Sequence, residues 1–193
     1  MDMEIDASLP KLHREGRFHA LRKISRLGRI SYEALRFEGD RSVERDVIAR
    51  YLTAESEAQA GNAASLGLNH KNYKFHYKGV SQLFGRQAYV FRLTPRQKRV
   101  GLFKGEVWID AKTSMPLRES GYFVKNPSVF LRRVSFIRDY KIQNEVAVPQ
   151  HIETVIDTYL VGRAEMHVDY TNVSFSTDSA PADSALVQAF SLQ

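Results

Sequence analysis

The residues of this chain best suited to chemistry are histidines spaced two from an acid: His151 with Glu153, and His167 with Asp169. Residues two apart on a strand project from the same face, so neighbouring strands could gather all four side chains. Imidazole and carboxylate together make a competent ligand set for a divalent metal. Alternating His, Glu and Asp is also the ordinary dress of a solvated sheet face, and on sequence alone no metal site is assigned. Ser8-Leu9-Pro10-Lys11 has a serine–lysine spacing, but nothing around it supplies the burial or neighbouring charge that would lower the lysine pKa. The chain carries no phosphate-cradling glycine loop, no Gly-x-Ser-x-Gly elbow and no His-Glu-x-x-His. With no cysteine, thiol nucleophiles, disulfides and thiolate metal sites are excluded. The sequence therefore predicts no catalytic residue and no cofactor, and a binding protein rather than an enzyme.

The elements that must position these groups read as strands. Tyr73, Phe75 and Tyr77 alternate with Lys74, His76 and Lys78, while Met166, Val168 and Tyr170 alternate with Glu165, His167 and Asp169. Such period-two patterns mark half-buried strands. The run 73–82 is joined to 87–94 by a turn at 85–86, 102–110 to 117–124 by one at 110–116, and 129–142 to 146–158 by one at 143–145, the spacing of sequential hairpins. Strands are also expected at 17–25, 29–38 and 43–52. About nine or ten strands in one sheet tend to curl or split. The expected fold is mainly β, a curled antiparallel sheet or half-open β-barrel with one or two short helices as a lid, at 53–66 and within 184–192. Residues 1–15 read as a flexible polar tail, 16–175 as the β domain and 176–193 as a C-terminal tail. At 193 residues and 43% hydrophobic content, one core is the default.

Charge is unevenly spread. Residues 70–142 hold 16 basic and 4 acidic side chains, whereas 143–193 hold 1 and 7. Arg96, Lys98, Arg99 and Lys104, with Arg132 and Arg133, form a candidate basic surface, suited to an anionic membrane or an acidic protein. Nucleic acid is disfavoured, since no aromatic interleaves the cluster to stack on bases. Met1 to Gly16 shows no charged-then-apolar signal pattern, and no 18 apolar residues run together.

A curled sheet with 11 Phe and 9 Tyr has a concave side that helix, tail or ligand must cover, because large exposed apolar patches are rare. Phe91, Trp108, Phe136, Tyr140, Val168 and Tyr170 are the candidates for lining an apolar cavity for acyl chains. Alternation leaves open which parity faces inward. Trp108 fits core packing as well as cavity lining.

Val47 to Leu52, Tyr89-Val90-Phe91, Val107-Trp108-Ile109-Asp110, Met115-Pro116-Leu117, Val129 to Tyr140 and Asp157 to Glu165 together resemble the outer-membrane lipoprotein-sorting (LolA/LolB-like) superfamily, over roughly residues 43–175. That resemblance implies a half-open antiparallel barrel lidded by helices and carriage of lipid or lipoprotein acyl chains in the periplasm. It also implies, as the alternative found among relatives, an envelope-sensing interaction module whose cavity is filled by its own side chains.

Overall fold

A computed structural model of the chain describes residues 1–25, 30–60, 66–126, 131–159 and 162–175. Ten strands form one open antiparallel sheet: β1 (Asp2–Leu9), β2 (Arg14–Ile24), β3 (Ile30–Gly39), β4 (Tyr73–Leu83), β5 (Arg86–Pro95), β6 (Phe103–Asp110), β7 (Pro116–Phe123), β8 (Leu131–Gln143), β9 (Val146–Thr158) and β10 (Arg163–Thr171). Their spatial order is β3-β2-β1-β10-β9-β8-β7-β6-β5-β4. The sheet is not closed into a barrel, and its two edges, β3 and β4, are consecutive in the chain.

The connection between those edges must cross a face of the sheet. It does so as a helical run: α1 (Arg41–Val43), a π-helical segment (Glu44–Ile48) and α2 (Ala49–Ala60). Asp40 caps the start, accepting from the Ser42 amide at 2.8 Å, a favoured helix-start arrangement. Val43, Val47, Ile48, Tyr51 and Leu52 recur at helical spacing and pack on Met3, Ile5, Phe18, Met166 and Val168 of the sheet. The strand expected at 43–52 is thus helix: its apolar residues satisfy a 3.6-residue period, and a run of β-preferring side chains gives way to that periodicity. The helix expected at 53–66 begins about a dozen residues earlier. Residues 176–193, with the expected C-terminal helix, lie outside the described residues.

The expected N-terminal tail is a correction of more consequence. Met3, Ile5, Ala7 and Leu9 are buried, and β1 pairs with both β2 and β10. The alternation was present in the sequence, but Asp2, Glu4 and Asp6 between the apolar residues give the segment a polar look. They occupy the outward face of a central strand.

Register runs straight across the sheet. One row on the helix-bearing face comprises Phe75, Leu93, Gly105, Gly121, Phe136, Thr154, Met166, Ala7, Gly16 and Gly39, each paired with the next. The paired Gly105 and Gly121 let β6 and β7 approach closely: a Cβ on Gly105 would run into the Ser120 carbonyl oxygen. The space above them is taken by Phe136, whose ring meets Phe103 and Phe123, both at 5.1 Å. Irregular register at five places, including Tyr77/Gly79 and Asp139/Tyr140, adds local twist. Gly105→Ala is expected to lower unfolding stability by about 1–3 kcal/mol, the scale of overpacking in a filled site, as read from urea melts.

Candidate functional site

Parity settles where the six cavity candidates point. Phe91 pairs with Val107, Phe136 with Gly121 and Thr154, and Val168 with Ile152 and Ile5, which places all three on the helix-bearing face. Tyr140 and Tyr170 share it. Trp108 does not: it pairs with Val90 and Arg118 on the opposite face. There it neighbours the Arg118–Asp139 pair, joined by bonds of 2.5 and 2.6 Å. Because Val107 already occupies the inward position on β6, the adjacent Trp108 must turn outward.

The five that share a face do not share an environment. Val168, Tyr170 and Phe136 are buried in two clusters, the first beneath the helix and the second around Tyr73, Leu93 and Phe103. They are core, filled by the protein's own side chains. Phe91 is only half-buried and belongs to an aromatic strip on β4 and β5, with Tyr77 at 5.5 Å and Phe75 at 6.3 Å between ring centroids. Tyr77, Val80 and Tyr89 extend the strip and are 53%, 51% and 41% exposed. Tyr77, Val80 and Tyr89 were not singled out as site residues from the sequence; Tyr77 alternates with the core residues of the edge strand β4, Tyr89 lies on β5, and Val80 reaches the same face only through the register shift between Tyr77 and Gly79.

A polar seam bounds the helix-covered half. Arg22, whose side chain is 5% exposed, donates to Glu55 of α2 at 2.8 Å, and Tyr32 Oη donates to the same carboxylate at 2.5 Å. Burial and the Glu55 charge push the Tyr32 hydroxyl far above its ordinary range. Further along, Arg138 Nη1 donates to Glu119 Oε2 at 3.2 Å and to Tyr140 Oη at 3.4 Å. Burial works against the Arg138 charge, but the Tyr140 and Glu119 oxygens outweigh it, so its pKa is raised. Tyr140 is pushed up to about 12, chiefly by burial. The fifth cavity candidate is therefore a hydrogen-bonded member of the seam.

The basic residues divide. Arg96 Nε donates to the His70 carbonyl at 2.8 Å and Arg99 Nη2 to Asn72 Oδ1 at 2.7 Å, so both secure the turn before β4. Lys98, Lys104, Arg132 and Arg133 line a groove of about 1180 Å³, joined there by Lys11, Arg163 and Tyr122 and by the acids Asp157 and Glu165, of which Asp157 pairs with Arg163 at 3.3 Å. The Arg133 guanidinium lies 4.3 Å over the Tyr122 ring. Lys11 and Arg163 were missed because they come from opposite ends of the sequence, brought together by the β1–β10 pairing. Ser8, expected in a tail, lies within β1 and pairs with Glu165.

The histidines and acids of β9 and β10 meet on the outward face. His151 Nδ1 lies 2.6 Å from Asp169 Oδ1, and its Nε2 lies 3.3 Å from Glu153 Oε1. Burial is the largest single influence and opposes the imidazolium, but the two carboxylates together prevail and raise its pKa.

Residues 37–145 match the model of the MucB/RseB N-terminal domain. The chain belongs to this family. Similar solved structures include a DUF1329 family protein from Desulfovibrio piger, 11% identical over 93% of this chain and 85% of that one, with a TM-score of 0.46. A LolA superfamily protein from Nitrosomonas europaea is 16% identical over 89% and 82%, TM-score 0.41. The MucA/MucB complex of Pseudomonas aeruginosa contains a chain 11% identical over 86% of each, TM-score 0.26. Among curated proteins there is no match.

Glu55→Ala should cost about 3–5 kcal/mol of stability, because it strands the Arg22 charge beneath the helix. Glu55→Ala combined with Arg22→Met should recover much of that loss in thermal or urea melts.

Proposed function

We propose that this chain is a non-enzymatic binding protein of the bacterial periplasm that takes acyl chains of lipid or lipoprotein on the aromatic strip of β4 and β5. The observation that carries this reading is the exposure of Tyr77, Val80 and Tyr89 on the same face as the core, continuous with Phe75 and Phe91 and beyond the reach of the described helix. Large contiguous apolar surfaces of this kind mark ligand or partner sites. Membership of the MucB/RseB family supports a binding role in the envelope. The chemistry required is burial alone: an acyl chain leaving water gains about 0.8 kcal/mol per methylene, so a dozen carbons suffice after ordering costs.

The cavity of the sequence reading thereby becomes an open strip. Phe91 stays in it, Phe136 lies in the core cluster that adjoins it, Val168 and Tyr170 lie in the separate core beneath the helix, Tyr140 belongs to the polar seam, and Trp108 lies on the other side of the sheet. A second reading rests on the groove lined by Lys11, Lys98, Lys104, Arg132, Arg133 and Arg163. Such a surface suits anionic headgroups or an acidic protein, as an addition to the strip or in place of it.

Titration with a fluorescent fatty acid tests the first reading. Tyr77→Ser and Tyr89→Ser, both at exposed positions, should each weaken uptake about tenfold while melts stay unchanged, since losing much of an aromatic contact costs about 1.5 kcal/mol. Emission from Trp108, the sole tryptophan, should not respond to the ligand. Wild-type protein that neither takes up the probe nor carries lipid in native mass spectra would refute the strip. Salt-sensitive binding to anionic vesicles in that case would favour the groove.

A further inference from the structure

We propose that the outward face of β9 and β10 binds one divalent transition-metal ion of the zinc class through His151, Glu153 and His167. The face lies on the side of the sheet away from the aromatic strip, so the proposal is independent of the lipid reading. Two cross-strand ladders build it. One runs Asp139, His151, Asp169, Glu4 and His19 across β8, β9, β10, β1 and β2; the next runs Ile137, Glu153, His167, Asp6 and Arg17 across the same strands. His151, Glu153 and His167 offer donor atoms that all lie within 4.8 Å of one another.

The orientation of His151 is that of a ligand. Asp169 engages its Nδ1 at 2.6 Å, and a carboxylate on one ring nitrogen fixes the ring and leaves the other for a metal, the usual outer support of a metal-bound imidazole. The remaining nitrogen, Nε2, points toward Glu153 Oε1 at 3.3 Å. Two donors bound tetrahedrally to zinc at about 2.0–2.2 Å stand roughly 3.3–3.5 Å apart, so this pair is already spaced as one edge of the coordination shell. His167 stacks beside His151 with ring centroids at 6.1 Å and planes 28° apart. Its side chain is exposed, and a rotation inward brings the third donor to the ion without disturbing the core. The fourth position is left to water or to a partner's side chain.

The neighbouring charges favour this assignment. Asp139 is held by Arg118 through both oxygens, and Glu4 and Asp6 are held by Arg17 at 3.3 and 2.6 Å. Glu153 and Asp169, by contrast, converge on His151. Two imidazoles and a carboxylate select zinc, copper or nickel over magnesium and calcium, which prefer all-oxygen shells. The competing account of the same geometry is a protonated His151 shared between two carboxylates, with no ion. A metal must displace that proton, so binding should release protons and strengthen as pH rises through the histidine range.

Calorimetric titration of the untagged, chelator-washed full chain with Zn²⁺ decides between them, with Co²⁺ as an optical probe of tetrahedral ligation. The expected result is a single site, an intense visible Co²⁺ spectrum, a Zn²⁺-dependent rise in Tm, and no competition from Mg²⁺. His167→Gln and Glu153→Gln, both at exposed positions, should abolish the site while leaving the metal-free melt unchanged. Asp169→Asn should keep the Co²⁺ spectrum but weaken affinity about 10–100-fold, the mark of a positioning residue. Absence of Zn²⁺ binding up to ~1 mM, or equal affinity in the wild type and the His167 and Glu153 variants, would overturn the proposal.

Discussion

Everything in this molecule follows from one topological constraint: the two outermost strands of a ten-stranded sheet, β3 and β4, are joined directly in sequence. Nine inter-strand spacings of 4.7–4.9 Å amount to about 43 Å across a flat sheet. The helical run from Arg41 to Ala60 covers about 30 Å, and twist at the bulges brings the edges closer. The crossing segment therefore lies on one face and makes that face the core, and its contacts reach β1, β2 and β10. Beyond the helix a second core cluster forms around Tyr73, Leu93 and Phe103, and at its margin the aromatic side chains of β4 and β5 meet solvent. The candidate binding surface thus continues the core face where cover runs out.

Most of the strand framework is legible in the sequence, because period-two alternation survives wherever one face is buried. The hairpins from β4 to β9 fall within a few residues of their expected bounds for that reason. The failures are equally physical. In β1 the acidic residues on the outward face outweigh four small or aliphatic ones in any average of polarity, yet the parity is perfect. In Val47 to Leu52, strand-preferring side chains conceal a helical period that only packing against the sheet selects. Local preference yields to the crossing connection, and no local window contains that connection.

The sites are less legible than the fold. Alternation shows that Trp108 and Phe91 each share a parity with strand neighbours, but which parity faces the core is decided by register across several strands. The histidine–acid spacing was visible, and the partnership of His151 with Asp169 was not, since it depends on β9 and β10 pairing residue for residue. The basic groove likewise draws Lys11 and Arg163 from segments separated by most of the chain.

The seam between β1 and β10 has a further implication, for the order of assembly. Asp2 lies beside Thr171, and Asn172 Nδ2 donates to Asp2 Oδ2 at 2.6 Å. Strands β1 to β3 with the helix, and strands β4 to β9, are each built of adjacent hairpins that can form early from local contacts. Only β10 bridges them, and it is the last of the described strands to be made. Until it arrives, β1 is paired only with β2 and β9 only with β8, so each presents one unpaired backbone edge. Closing that gap requires contacts among the most distant in the sequence, the kind that slow folding. The sheet therefore stays open at its centre, rather than at its margins, until β10 is made.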